Sequence, residues 1–129
     1  MKIEEQVLSI EQMKHLQELG VDTSDASMCW VAGEDADEGE WNLIIPNNFL
    51  LPYNIPTYTI GDLIEKLPKS IDLGFGEYDL ELSIKGEYVE VQYENDYDDY
   101  TPFFCSNLSL IESLYSILCW LAVNHKELL

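Results

Sequence analysis

Tyr78-Asp-Leu-Glu-Leu-Ser-Ile-Lys-Gly-Glu-Tyr-Val-Glu-Val-Gln-Tyr93 alternates apolar and polar residues on both sides of a Lys85-Gly86 pair. Strict alternation marks strands with one buried face, and a central glycine suits a two-residue hairpin turn. Placing Lys85 and Gly86 in that turn pairs Ile84 with Glu87, Leu82 with Val89, Leu80 with Val91 and Tyr78 with Tyr93. The apolar partners then share a face. A one-residue slip would send them to opposite faces, so the hydrophobic pattern fixes the register. The same register sets Glu81 opposite Glu90 on the outer face. Like charges so placed are destabilising by roughly 0.2–1 kcal/mol before screening.

Upstream of this hairpin, Ser9-Ile10-Glu11-Gln12 reads as a capping box opening a helix over about residues 10–19, with Gly20 as its stop. Met13, Leu16 and Leu19 recur at helical spacing on its core face. Ser27-Met-Cys-Trp-Val-Ala32 and Trp41-Asn-Leu-Ile-Ile45 form a first hairpin around the long acidic turn Gly33 to Glu40. Pro46, Pro52 and Pro56 punctuate an irregular segment. Thr59 then caps a short helix with the apolar stripe Ile60, Leu63, Ile64 and Leu67, which Pro68 ends. Downstream, Ser109 and Glu112 make a second capping box for a helix reaching about Lys126. Its polar residues Ser109, Glu112, Ser113 and Ser116 form one narrow stripe, so it is the expected central core helix.

The order αββαββα predicts one α+β domain over residues 1–129. Its four-stranded antiparallel sheet would come from the two hairpins, with helices packed on one face. A chain of 129 residues at 47% hydrophobic content can bury a real core.

Charge sets the functional limits. The chain carries six lysines, no arginine and 25 carboxylates, for a net charge of -19. Nucleic-acid phosphates and anionic lipid surfaces repel such a chain, and without arginine it lacks a bidentate phosphate grip. Direct nucleic-acid binding and membrane association are therefore not expected. The longest apolar run, in the last helix, is shorter than the ~20 residues of a membrane span and has a glutamate in its first turn. The first six residues carry Glu4 and Glu5 beside Lys2 and do not read as a signal peptide. Cys29, Cys105 and Cys119 are odd in number, widely spaced and set among apolar neighbours. They read as buried free thiols of a reduced, cytoplasmic protein and not as a zinc site.

No Ser/His/Asp order, HExxH helix or glycine-rich phosphate loop gives catalysis a foothold, so no enzyme, cofactor or metal is expected. Asp35-Ala-Asp-Glu-Gly39 has a superficial likeness to a calcium loop. Counted from Asp35, however, the glycine falls fifth and position twelve is Pro46, where that pattern wants a glycine sixth and a glutamate twelfth. Asp96-Tyr-Asp-Asp-Tyr100 is a second acidic cluster, with Asp96, Asp98 and Asp99 available to a cation or a partner. Asp79, Glu81 and Glu90, with Glu77, Glu87 and Glu94 nearby, crowd one sheet face where repulsion brings no folding benefit. Phe49, Leu50, Leu51 and Tyr53 place an apolar patch on a proline-spaced segment.

Leu19-Gly-Val-Asp-Thr-Ser-Asp-Ala-Ser-Met-Cys-Trp30, Tyr58-Thr-Ile-Gly-Asp-Leu-Ile-Glu-Lys-Leu-Pro-Lys69 and Leu114-Tyr-Ser-Ile-Leu-Cys-Trp-Leu121 resemble recurring features of small uncharacterised acidic proteins of prophages and mobile elements in gut bacteria. That resemblance implies a genomic setting and transfers no catalytic residue. The expected function is a small acidic protein-binding module that occupies a basic surface, as a nucleic-acid mimic or an inhibitor of a basic host or phage protein. The alternative is a structural or oligomeric accessory protein, with a homodimer contact through Pro46 to Tyr58 and charge serving solubility. A metal-dependent enzyme using the acidic loops would instead require tight cation binding that stabilises the fold.

Overall fold

The first capping box is present in a computed structural model that describes residues 3–32, 41–44 and 54–129. Ser9 Oγ accepts from the Gln12 N–H at 3.2 Å and Gln12 Oε1 accepts from the Ser9 N–H at 2.9 Å. This satisfies two amides that helix geometry leaves open, and helix α1 follows over Ile10–Glu18. The chain divides into two compact units, Met1–Asp62 and Leu63–Leu129.

In the first unit, strand β1 (Met28–Ala32) lies between β2 (Trp41–Ile44) and β3 (Asn54–Thr57), both antiparallel to it. The first hairpin is therefore formed, with Cys29 opposite Ile44 and Ala32 opposite Trp41. β3 falls in the segment expected to be irregular. Pro56 sits in it opposite Cys29, which a sheet tolerates because β3 is an edge strand and needs ladder bonds on one side alone. Leu8, Met13, Leu16, Met28, Cys29 and Tyr58 are buried here. The Leu8 carbonyl accepts from Thr57 Oγ1 at 2.7 Å and from Trp30 Nε1 at 3.0 Å, fastening the entry to α1 onto both strands. The Tyr58 hydroxyl lies 2.6 Å from Asp25 Oδ1 and 2.8 Å from the Asp22 carbonyl. Burial and the Asp25 carboxylate together push its ionisation well above the ordinary tyrosine value.

Helix α2 (Ile60–Lys66) opens as expected, with Thr59 Oγ1 accepting from the Asp62 N–H and Asp62 Oδ2 accepting from the Thr59 N–H, each at 3.0 Å. The same Oδ2 accepts from the Ser27 N–H and hydroxyl, tying the cap to the start of β1.

The second unit holds a four-stranded antiparallel meander, β4 (Ser70–Asp72), β5 (Glu77–Lys85), β6 (Tyr88–Glu94) and β7 (Phe103–Asn107), in that spatial order. The α+β class is as expected and a four-stranded antiparallel sheet is present. Its strands, however, come from this half alone, and the first hairpin belongs to the separate three-stranded sheet. The αββαββα order thus misses β3, β4 and β7. Three residues of β4 are too few to show alternation, and β7 has Cys105 and Asn107 where a clear signal would have large apolar residues.

The hairpin register also differs. Lys85 pairs with Tyr88, Ile84 with Val89, Leu82 with Val91 and Leu80 with Tyr93, so Gly86 and Glu87 form the turn. Gly86 has φ +64°, and the turn types that match strand twist require a positive φ at the first central position. Glu81 accordingly faces Gln92, and Glu90 lies between Ser83 and Ser106, which relieves the expected clash of carboxylates.

Helix α3 (Leu110–Asn124) packs on β6 and β7. Ser109 Oγ accepts from the Glu112 N–H at 3.4 Å. The expected polar stripe is broken at Ser113, which is buried and donates to the Val89 carbonyl at 3.4 Å. Tyr78, Val91, Tyr93, Leu114, Ile117, Leu118 and Leu121 form the core, with the Tyr93 hydroxyl donating to the Pro68 carbonyl at 2.7 Å. Trp120 of α3 lies against Tyr93, Phe103 and His125, with ring centroids 6.2, 5.4 and 5.0 Å away. Cys29 is buried, while Cys105 and Cys119 are half-buried, and all three are free. Burial raises the ionisation of the Cys119 thiol above its ordinary value.

Candidate functional site

Side chains alternate across a strand, so the residues between the core positions of β5 and β6 all reach the opposite face. Glu77, Asp79, Glu81, Glu90 and Glu94 stand there together, as the sequence pattern requires. Glu87 lies apart from them in the turn. At the β4 end this outer face is hollowed into a depression of about 460 Å³. Glu77, Asp79, Glu81 and Glu94 line it from the strands, Asp96 and Asp98 from the following loop, and Phe75, Gly76, Asn95 and Tyr97 complete it. Six carboxylates and no lysine thus face one concavity.

Local hydrogen bonds build the walls. Asn95 Oδ1 accepts from the Tyr97 and Asp98 N–H groups at 3.1 Å, and Asn95 Nδ2 donates to the Glu77 carbonyl at 3.0 Å, fixing the loop to β5. Asp98 accepts from the Tyr100 N–H at 2.9 Å and from the Tyr78 hydroxyl at 3.2 Å. Asp98 is therefore engaged in holding the loop, while Asp96 and Asp99 are exposed and Asp99 does not line the depression. The other wall depends on Gly76, where an added Cβ would sit 2.9 Å from the Tyr78 hydroxyl oxygen. The absence of a side chain leaves room for the Tyr78 ring, and beside it Phe75 is 70% exposed, with its ring 6.2 Å from Tyr78 and 5.7 Å from Tyr100. Tyr97, also in the lining, is 95% exposed.

Two of the acids interact directly. Glu94 is opposite Asp79, and Glu81 is opposite Gln92, which makes Glu81 and Glu94 diagonal neighbours within reach of each other. Hydrogen bonding to Glu81, with some loss of solvent and the nearby charges of Glu81 and Asp96, raises the Glu94 ionisation above the ordinary 4.5. The raised ionisation makes Glu94 the easier of the crowded acids to neutralise as pH falls. Gln92 Nε2 donates to Glu94 Oε2 at 3.1 Å and Ser70 Oγ donates to Glu77 Oε1 at 2.8 Å, so neutral donors orient both walls.

Among the described residues no three His, Cys, Asp or Glu side chains converge to hold a metal ion, and no helix is long and apolar enough to cross a membrane. His15 lies 4.0 Å from Glu18 on the exposed side of α1, and His125 caps the C-terminus of α3. The calcium-like stretch Asp35 to Glu40 and the apolar patch Phe49, Leu50, Leu51 and Tyr53 lie outside the described residues. Phe75 and Tyr97 are the aromatic lining residues that the strand pattern alone does not mark. An aromatic between two glycines, Gly74-Phe75-Gly76, is the signal in the chain that points to the first of them. No family model, curated protein or solved structure matches the chain.

Proposed function

We propose that this protein is a binding module and not an enzyme, and that the outer face of its four-stranded sheet occupies a basic surface of another protein. A nucleic-acid mimic or an inhibitor of a basic protein would act in this way. The observation that carries the reading is that six carboxylates line one depression together with the exposed rings of Phe75 and Tyr97. Solubility is served by charge spread over a surface, and it gains nothing from carboxylates crowded onto one depression. A lysine or arginine of a partner entering the depression would neutralise this crowding and could lie on an aromatic face. Charge complementarity of this kind contributes most to the association rate and weakens with salt.

The test is affinity capture from host lysate under a salt gradient, with three proteins compared. Asp79→Asn, Glu81→Gln and Glu94→Gln together should release a specific basic protein at lower salt than the unaltered chain does. Glu11→Gln, Glu18→Gln and Glu65→Gln together make the same change in net charge at exposed positions elsewhere and should leave its elution unchanged. Equal shifts from both triple variants would overturn the assignment of the depression and leave the charge with a solubilising role.

A further inference from the structure

β5 has nine residues but its neighbour β4 has three, and the two pair from Asp72 opposite Glu77 to Ser70 opposite Asp79. The Leu80 N–H donates to the Lys69 carbonyl at 2.9 Å, which shows that Leu80 directs its backbone groups to the β4 side. Alternate residues of an antiparallel strand direct their N–H and C=O groups to the same edge. Leu82 and Ile84 therefore present theirs beyond the end of β4. Among the described residues no backbone group pairs with them there.

The side chains at this edge are unusual for an open strand. Natural edges are blunted by charge, proline or a bulge, whereas here Leu82 is 40% and Ile84 78% exposed. Both line an apolar groove of about 400 Å³ that Val89 and Leu110 share. On the outer face stand Glu81 and, one strand further in, Glu90, with Lys85 at the end of the strand, and the chain as a whole is acidic at -19.

We propose that residues 81–85 of β5 are a strand-addition site for an extended segment of another protein in which apolar and basic residues alternate. Main-chain hydrogen bonds to Leu82 and Ile84 set the segment beside β5. Its apolar side chains fill the groove, and its basic ones meet Glu81 on the other face. A second copy of this chain is the poorer occupant, since each copy brings a net charge of -19. The site depends on backbone pairing along the open edge; Glu81 also lines the depression, so variants at Leu82 and Ile84, which lie outside it, tell the two sites apart.

The probe is a fluorescent peptide of about ten residues alternating lysine and valine, titrated by anisotropy with the full chain at physiological salt. Two controls are the same composition arranged in blocks and the alternating peptide N-methylated at every second residue. Both controls should bind roughly tenfold or more weakly, since each removes the pattern or the pairing and keeps the charge. Leu82→Ser with Ile84→Ser, both at exposed positions, should weaken the alternating peptide similarly. Asp96→Asn, which alters the depression at its loop and leaves the β5 strand untouched, should leave it unchanged. Equal binding of the three peptides, or no binding of the alternating one, would overturn the proposal.

Discussion

The base and the tip of the β5–β6 hairpin carry the same alternation and meet different surroundings. At the base, Tyr78, Val91 and Tyr93 are fully buried, with Tyr93 against Trp120 and its hydroxyl on Pro68. Toward the tip the same face is progressively uncovered, ending at Ile84. Alternation decides which face a side chain joins, and the length and placement of neighbouring elements decide how much of that face is covered.

Truncation should separate the two ends most sharply. Tyr93→Ala removes a buried aromatic and should lower unfolding free energy in urea by about 3–5 kcal/mol, whereas Ile84→Ala should change it by less than about 0.5 kcal/mol. Comparable losses would mean that the tip is covered in solution and would break the contrast. A smaller effect is expected at the turn. Gly86→Ala places a Cβ at φ +64° and should cost roughly 1–2 kcal/mol. An unchanged denaturation midpoint would show that the positive φ at residue 86 does not set the register.

The smallest effect is the pH response of the base. The Glu94 ionisation is raised in the folded chain by its bond to Glu81, so the folded state holds this proton more firmly than the unfolded state does. The resulting stabilisation is full below the ordinary glutamate value and is lost as pH rises through the folded value. Between about pH 4 and pH 7, Tm of the unaltered chain should therefore fall relative to that of Glu94→Gln. A constant difference across that range would show that the two carboxyl groups do not share a proton.

These contrasts also explain how far the sequence could be read. Faces were legible because the apolar period is two, and the helices α1, α2 and α3 were legible from Ser9, Thr59 and Ser109 at their starts. The register was not, since moving the turn from Lys85-Gly86 to Gly86-Glu87 shifts the pairing by two residues and leaves every side chain on its original face. The hydrophobic pattern is blind to such a shift, and the conformational demand on Gly86 decides it. Sheet membership was equally hidden: one antiparallel hairpin has the same local pattern whether it joins a neighbour's sheet or recruits an edge strand such as β3. Of the candidate site, the carboxylates of β5 and β6 followed from alternation. The loop did not, because Asp96 and Asp98 line the depression and Asp99 does not, and Asp98 is also held by the Tyr78 hydroxyl, a distinction made by tertiary structure.

The Leu8 carbonyl has a consequence for the order in which the chain can fold. Its two donors lie 22 and 49 positions along the sequence, at Trp30 and Thr57. Closing such separations costs chain entropy that local contacts do not, and it slows folding. The second unit's sheet is a meander whose successive strands are sequence neighbours, so it can assemble through short closures. The first unit must bring β1 and β3 together before Leu8 has both partners, which makes the docking of its N-terminal segment a late event in folding.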